Sequence, residues 1–286
     1  GGDRQAFKKA RLNAIQDEVQ LLNHEFQDPG QWFVPLKPLT MLRNTLFPVQ
    51  ESRGDAKDYA PLYEQFLGRL CQIPTDQGFA HYLACLMRGE GMSSPRVTPG
   101  TAGAFGGVSE SLVDFGIPAA CCADGPSGIR MDSGKTAFSL PNGTALACTF
   151  NLDLVENLFD LMGQELYANR IETLLGPGMN IHRTPLNGRN FEYFSEDPLL
   201  TGKMAAVQLR AMNKYKVTGT IKHYVANNQE AHRHDVNAVV SERALREIYL
   251  RGFQIAVEEG EAYSVMSTYG GLNGIWTAGN YDLLTT

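Results

Sequence analysis

The chain lacks the features that mark a membrane protein or a nucleic-acid-binding protein. Among its 286 residues, no apolar run approaches the roughly 20 residues that a membrane-spanning helix needs. The net charge is -6 and there is no long basic run, which argues against nucleic acid or an anionic membrane as a partner. Hydrophobic residues make up 43% and charged residues 20% of the chain. These proportions are typical of a folded globular protein.

Cysteine is also scarce. The five cysteines lie at positions 71, 85, 121, 122 and 148, and their odd number and spacing fit neither a disulfide framework nor a zinc site. Cys121 and Cys122 are adjacent in an apolar run, where buried free thiols are expected. A reducing compartment fits this pattern. The basic N-terminal stretch has no apolar core after it, so it does not predict a secretory signal, and we expect a cytoplasmic location.

Nucleotide-binding motifs are missing as well. The glycine-rich stretch at 89–107 has no G-x-x-x-x-G-K-[ST] pattern, and no G-x-G-x-x-G follows the first predicted strand. Residues 1–60 predict a helix followed by a proline-rich extended connector, and 63–70 and 78–87 predict two short helices. We assign residues 61–286 to the folded domain that follows the connector.

From residue 117 onward, short apolar runs alternate with longer helical patterns. The runs at 117–122, 171–175, 217–224 and 263–269 predict strands. The segments at 151–170, 198–215 and 241–259 predict helices, with Asn151 and Ser241 placed to cap two of them. The expected inner stripe of the last helix contains Leu245, Ile248, Tyr249, Gly252, Phe253 and Ala256. This alternation predicts βα units around a parallel sheet.

Each predicted strand is followed by residues unlike those of a core. These residues are Asp124, then Arg189, then Lys222 and His223, then Met266 and Tyr269. Polar residues at consecutive strand ends are the layout of a TIM-barrel active site, whereas a doubly wound sheet would concentrate a site at one crevice. Four βα units are recognisable and a closed barrel needs eight. We therefore predict an α/β fold of the (β/α)8 TIM-barrel type, with about the first half of the barrel in this chain.

The stretch from 174 to 198, LLGPGMNIHRTPLNGRNFEYFSEDP, is the richest in charged and aromatic side chains after a strand. Its composition permits two interpretations. It could form a polar-ligand site at the carboxyl end of the sheet, or it could be a salt-bridged loop that only braces the fold.

Five motifs in order resemble glycoside hydrolase family 3, the β-glucosidase family. They are ADGPSGIR at 123–130, GPGMNIHRTPLNGRNFEYFSEDP at 176–198, TIKHYVANNQE at 220–230, SERALREIYL at 241–250 and SVMSTY at 264–269. GEGMSSPRVTPGTAGAFGG at 89–107 further resembles a branch in which the domain order is reversed. The resemblance implies hydrolysis of β-linked glycosides with retention of configuration, on a β-glucoside or small oligosaccharide.

The resemblance also implies roles for individual residues. Asp124 would accept hydrogen bonds from sugar hydroxyls, although an Asp before Gly can also cap a turn. The other substrate-binding residues implied are Arg130, Arg189, Lys222, His223, Met266 and Tyr269. The loop carboxylates Glu192, Glu196 and Asp197 are read as loop-stabilising ion-pair partners, and His182 and Arg183 as braces of the loop. Trp276 is a candidate sugar platform as well as a packing residue, and the group His232, Arg233 and His234 lacks the spacing of a metal site.

Two further features of the sequence narrow the function that the resemblance implies. The continuation KHYVANNQE after the third strand, instead of KHFPGHG, favours a β-glucosidase over an N-acetylglucosaminidase, with β-xylosidase as the next alternative. The family's nucleophile lies in a Ser/Thr-Asp-Trp motif that is absent from this sequence. We therefore identify no catalytic residue here and expect the nucleophile and the acid/base outside the chain, supplied with the remaining barrel strands and a second domain. The alternative is a noncatalytic or split-subunit carbohydrate-binding fragment. Neither a metal nor an organic cofactor is implied, because paired carboxylates suffice for this chemistry.

Overall fold

The computed structural model describes residues 88–285, except for 93, 109 and 115. The helix and connector predicted at 1–60 and the two short helices predicted at 63–70 and 78–87 lie outside these residues. In the described part of the chain, no helix combines the length and the apolar character needed to cross a membrane.

Strands and helices alternate along most of the described chain. In order they are β1 (Gly103–Gly106), α1 (Glu110–Asp114), β2 (Ala119–Asp124), α2 (Gly143–Cys148), α3 (Leu152–Ala168), β3 (Thr173–Leu175), α4 (Pro198–Asn213), β4 (Thr218–Tyr224), β5 (Asn237–Ala238), α5 (Glu242–Ala244), α6 (Arg251–Glu258), β6 (Ser264–Ser267), β7 (Gly271–Leu272), β8 (Ile275–Trp276) and α7 (Tyr281–Thr285). Short 3-10 turns cover Asn190–Glu192 and Thr277–Gly279.

The main sheet has the strand order β1-β2-β3-β4-β6. Strands β2, β3, β4 and β6 are parallel neighbours, which confirms the four predicted βα units. Strand β1 was not predicted, because its four residues, Gly-Ala-Phe-Gly, carry almost no strand signal. It pairs antiparallel with β2, from Gly103 opposite Cys122 to Gly106 opposite Ala119. A small second sheet has the order β5-β7-β8.

Side-chain capping fixes where the three long helical segments begin. The Asn151 side chain accepts a hydrogen bond from the Leu154 amide at 3.0 Å, and the Ser241 hydroxyl accepts one from the Ala244 amide at 3.3 Å. Both predicted caps are thereby confirmed. The first free amides of a helix need such acceptors, and each cap contributes about 1 kcal/mol.

The core lies between the sheet and the helices that cover it. Helix α4 packs between α3 and α6 and also against β4. Its central position explains why α4 is buried over most of its length. Small residues such as Gly202, Ala205 and Ala206 on α4 allow the neighbouring helices to approach closely.

A π-helical turn at Leu245–Tyr249 separates α5 from α6. It rotates the side chains relative to an ideal α-helix. In such a turn the amide of residue i+5 bonds to the carbonyl of residue i, as the Leu250 amide does to the Leu245 carbonyl at 2.8 Å. Ile248 is therefore exposed, contrary to its predicted place in the inner stripe, while Leu245, Tyr249 and Phe253 are buried.

We expect Gly202→Ala to destabilise the protein by about 1 kcal/mol. A Cβ atom at position 202 would lie 2.7 Å from Cβ of Ile255 on α6. The cost of overpacking, about 1–3 kcal/mol, exceeds the gain in helix propensity, which is about 1 kcal/mol. Denaturant unfolding measures the difference. Gly279→Ala is the matched control, since nothing lies within 4 Å of its Cβ position. Equal stability of the two variants would contradict close α4–α6 packing.

Candidate active site

The carboxyl ends of β2 and β4 are connected by an ion pair that crosses β3. Nζ of Lys222 lies 2.9 Å from Oδ1 of Asp124. The Lys222 side chain is only 3% exposed, whereas that of Asp124 is 40% exposed. Oδ1 of Asp124 also accepts the Gly125 amide at 3.0 Å. Among the described residues, no hydrogen bond or ion pair engages the other oxygen, Oδ2, so this oxygen is available to a ligand.

A buried carboxylate links this ion pair to the loop after β3. Oε2 of Glu192 lies 3.7 Å from Nζ of Lys222, and its Oε1 accepts a hydrogen bond from Nε of Arg189. Burial alone would lower the pKa of Arg189, but the combined effects of Glu192, Tyr193 and Glu230 outweigh burial, so the pKa is raised. The predicted role of Glu192 as an ion-pair partner is confirmed. We call Asp124, Glu192, Arg189 and Lys222 the strand-end cluster.

His223 lies beside the strand-end cluster and is held through both its backbone and its ring. Its amide donates to Oδ1 of Asn180, and its carbonyl accepts from Nδ2 of Asn180, both at 2.8 Å. Nδ1 of its ring lies 3.0 Å from the hydroxyl oxygen of Tyr193. Burial first, and then the charges of Arg189 and Lys222, lower the pKa of His223 to about 2. The imidazole is therefore neutral near pH 7.

The loop after β4 adds a second group of contacts that the sequence analysis missed. Arg233 pairs with Oε2 of Glu230 at 3.0 Å and stacks 4.7 Å from the centre of the Tyr269 ring. The His234 ring lies 4.7 Å from the same ring. The spacing of Glu230 and Arg233, three positions apart after a strand, could have indicated this ion pair. The sequence analysis considered this segment only as a possible metal site. Within the described residues, no group of three His, Cys, Asp or Glu side chains could hold a metal ion.

The remaining predicted substrate-binding residues lie around the cluster with little direct connection to it. Met266 pairs in register with Lys222 and is half-buried. Arg130 bonds to Asp132 at 3.0 Å through its side chain. No hydrogen bond or ion pair in the described part of the chain joins the Arg130 side chain to the cluster. Their roles toward a substrate stay predictions.

The other loop residues have structural contacts. Nε2 of His182 donates a hydrogen bond to the Asn190 carbonyl oxygen at 2.9 Å, which confirms that His182 braces the loop. Asp197 caps α4 by accepting the amides of Leu199 and Leu200 at 2.7 and 2.9 Å. The interpretation of Asp197 as an ion-pair partner is therefore replaced by helix capping. Trp276 lies on β8 and is exposed, and its role as a sugar platform stays a prediction.

Comparison with known proteins identifies the family. The glycosyl hydrolase family 3 N terminal domain matches residues 101–286. The chain belongs to glycosyl hydrolase family 3. The predicted membership and the partial (β/α) barrel are thereby confirmed, because the solved relatives share this fold.

Relatives named as β-glucosidases are similar over most of this chain. A β-glucosidase of Ruminococcus albus is 64% identical over 203 residues, which are 71% of this chain and 21% of that protein. The structure of a β-glucosidase from Paenibacillus barengoltzii is 53% identical with a TM-score of 0.73, covering 90% of this chain and 25% of the other. That of β-glucosidase 3B from Thermotoga neapolitana in complex with glucose is 39% identical with a TM-score of 0.70, covering 78% of this chain and 32% of the other. The chain thus spans a fifth to a third of these family 3 relatives.

We expect His223 to make the protein less stable in acid. Its pKa is 6.5 in the unfolded chain and about 2 in the folded one. Between these values the unfolded state binds one more proton, so stability falls as the pH falls below 6.5, by about 1.4 kcal/mol per pH unit. Denaturant unfolding at several pH values measures this slope.

The variant His223→Gln removes the titrating group, so we expect a correspondingly shallower slope. His232→Gln is the matched control, because His232 is exposed, and it should keep the slope of the wild type. Equal slopes in the wild type and in His223→Gln would show that His223 is protonated in the folded protein.

Proposed function

We propose that the protein hydrolyses terminal nonreducing β-D-glucosidic bonds and that this chain supplies the sugar-binding half of the active site. The observation that carries the proposal is the geometry of Asp124. One of its oxygens is held by Lys222 and by the Gly125 amide, while the half-exposed side chain offers the other to solvent. An oriented carboxylate oxygen can accept hydrogen bonds from two hydroxyl groups, and adjacent hydroxyls are what a sugar presents.

The surrounding side chains support a sugar as the ligand. Lys222 is a donor in contact with the acceptor Asp124, and Arg189 and the His223 ring supply further donors in and beside the strand-end cluster. Substrate hydroxyl groups could therefore find both donors and acceptors. Tyr269, with Arg233 stacked on its face, and Met266 provide apolar surface beside these polar groups. Such a combination of a few oriented polar groups with apolar walls is typical of small-molecule sites.

The mechanism proposed is double displacement with retention of configuration. It requires two carboxylates roughly 5 Å apart, one acting as nucleophile and the other as acid/base. We propose that both come from parts of a longer protein outside this chain, with the remaining barrel strands and a second domain. The supporting observation is that the family 3 relatives are three to five times longer than their match to this chain, which covers 21–32% of them. No metal or organic cofactor takes part in this mechanism.

Glucosides are the favoured substrate class over xylosides. The relatives with 64% and 53% identity are both named β-glucosidases, and glucose is the ligand of the Thermotoga neapolitana protein. The full-length protein should therefore have a higher kcat/KM on an aryl β-glucoside than on the corresponding aryl β-xyloside. Proton NMR of the first sugar released should show the β-anomer, the product of retention. Absence of turnover on both substrates would favour the noncatalytic alternative, and an α-anomer would rule out double displacement.

We expect Asp124→Ala to lower kcat/KM on the aryl β-glucoside by roughly 100-fold in the full-length protein. The loss corresponds to two hydrogen bonds to a charged acceptor, at about 1.5 kcal/mol each. Asp153→Ala is the matched control, because Asp153 is exposed in the first turn of α3 and should leave the kinetics unchanged. Near-wild-type kinetics of Asp124→Ala would remove Asp124 from the site.

A further inference from the structure

A buried hydrogen-bond chain leads away from the His223 ring into the protein. The hydroxyl oxygen of Tyr193 has two partners, Nδ1 of His223 at 3.0 Å and Nδ2 of Asn227 at 2.9 Å. Tyr193 is 0% exposed. The direction of each hydrogen bond in this chain is therefore determined by the protein groups themselves, without competition from bulk water.

The orientation of the Asn227 amide is fixed by a charge. The same Nδ2 atom lies 2.9 Å from Oε1 of Glu230, and a carboxylate oxygen can only accept. This end of the side chain must therefore be the NH₂ group, which has two hydrogens and can donate both to Glu230 and to Tyr193. The Tyr193 oxygen consequently accepts a hydrogen bond from Asn227.

The Tyr193 hydroxyl must then donate its own hydrogen to a different partner. Among the described residues, Nδ1 of His223 is its only available acceptor. If Nδ1 carried a proton, the Tyr193 oxygen would receive two hydrogen bonds and its own hydrogen would be buried without an acceptor, which is unfavourable. The ring is also not doubly protonated, because burial lowers the pKa of His223 far below neutrality. Nδ1 is therefore unprotonated and Nε2 carries the hydrogen.

We propose that Tyr193 is a positioning residue that, together with Asn227, locks His223 in the Nε2–H tautomer, so that the ring donates a hydrogen bond to a substrate hydroxyl. Nε2 has no hydrogen-bond partner within the described part of the chain, so its hydrogen is free for a ligand. The Asn180 side chain bonds to both the amide and the carbonyl of His223, and so fixes the backbone position from which the ring projects. This inference rests on the proposed function, in which His223 contacts the sugar.

Locking a donor matters because a neutral imidazole otherwise exchanges between two tautomers. In the Nδ1–H form, Nε2 would be an acceptor, and a sugar hydroxyl would have to reverse its own hydrogen to bind. Asp124 already supplies the acceptor at this edge of the sheet. A fixed donor in His223 complements it, so a substrate hydroxyl can donate to one group and accept from the other.

A double-mutant cycle in the full-length protein tests the proposal. We expect Tyr193→Phe to lower kcat/KM on an aryl β-glucoside about tenfold, the usual effect of one hydrogen bond. In the His223→Gln variant, the side-chain NH₂ group of Gln is always a donor and has no tautomer for Tyr193 to select. There, Tyr193→Phe should change kcat/KM by less than about twofold, because the two effects are coupled. A Tyr193→Phe effect of the same size in both backgrounds would mean a purely structural role and would overturn the proposal.

Tyr215→Phe is the matched control for loss of a hydroxyl. Its hydroxyl bonds to Asp160 at 2.8 Å, between α3 and the segment after α4, and we expect its kcat/KM to equal that of the wild type. A reduced value in this control would show that loss of a tyrosine hydroxyl perturbs the fold in general, and the cycle would then count against the proposal.

Neutron diffraction from crystals of the full-length wild-type protein tests the tautomer independently of any variant. We expect a deuteron on Nε2 of His223 and none on Nδ1, and the reverse arrangement would overturn the proposal. The same crystals separate this inference from the proposed function. If Nε2 of His223 carries a deuteron but the wild type does not hydrolyse β-glucosides, the proposed function alone is rejected. If the wild type is fully active but the double-mutant cycle shows no coupling, the positioning role of Tyr193 alone is rejected.

Discussion

The site depends on one buried ammonium group, that of Lys222. A charge with 3% of its side chain exposed must be matched by nearby carboxylates, since removing one partner from a buried pair typically costs about 3–5 kcal/mol. Asp124 at the end of β2 and Glu192 in the loop after β3 meet this requirement. A single lysine at the end of β4 therefore ties together the loops that follow three consecutive strands of the sheet.

This requirement explains the composition of the loop between β3 and α4. Glu192 has to reach Lys222 from one side and Arg189 from the other, and the 3-10 turn Asn190–Glu192 brings these two side chains together. Ion pairs brace the loop, as one of the two interpretations of its composition predicted, and they link Arg189 through Glu192 and Lys222 to Asp124. That the loop also binds a polar ligand stays a prediction. The next residue, Tyr193, extends the arrangement to the ring of His223. Under the proposed function, the residues that stabilise the loop are also those that face the ligand.

The sequence allowed the parallel sheet, the helix caps and the identity of the strand-end residues to be predicted, because each depends on local patterns. Hydrophobic periodicity locates β2 and β4, and a Ser or Asn before an apolar stripe locates a helix start. The π-helical turn that exposes Ile248 and the strand β1 escaped prediction, since both depend on tertiary pairing. The contact of Arg233 with Tyr269 joins two loops 36 positions apart, and no local pattern reports a distance of that kind.

The strand-end residues divide the site into two chemically different sides. Asp124, Arg189 and Lys222, around β2 to β4, give a charged side whose partners are largely internal. Met266 and Tyr269, on and after β6, give an apolar and aromatic side. Pyranose sugars have the same division, with hydroxyl groups around the rim of the ring and C–H groups on its faces. Ion pairs hold the charged side, whereas contacts with Arg233 and with the tilted ring of His234 hold Tyr269 on the apolar side. The geometry of each side is therefore maintained by separate contacts. A ligand that engages both must present hydroxyl groups at its edge and an apolar face at the same time. This requirement is the reason for proposing a sugar as the ligand, instead of an anion or a purely apolar molecule.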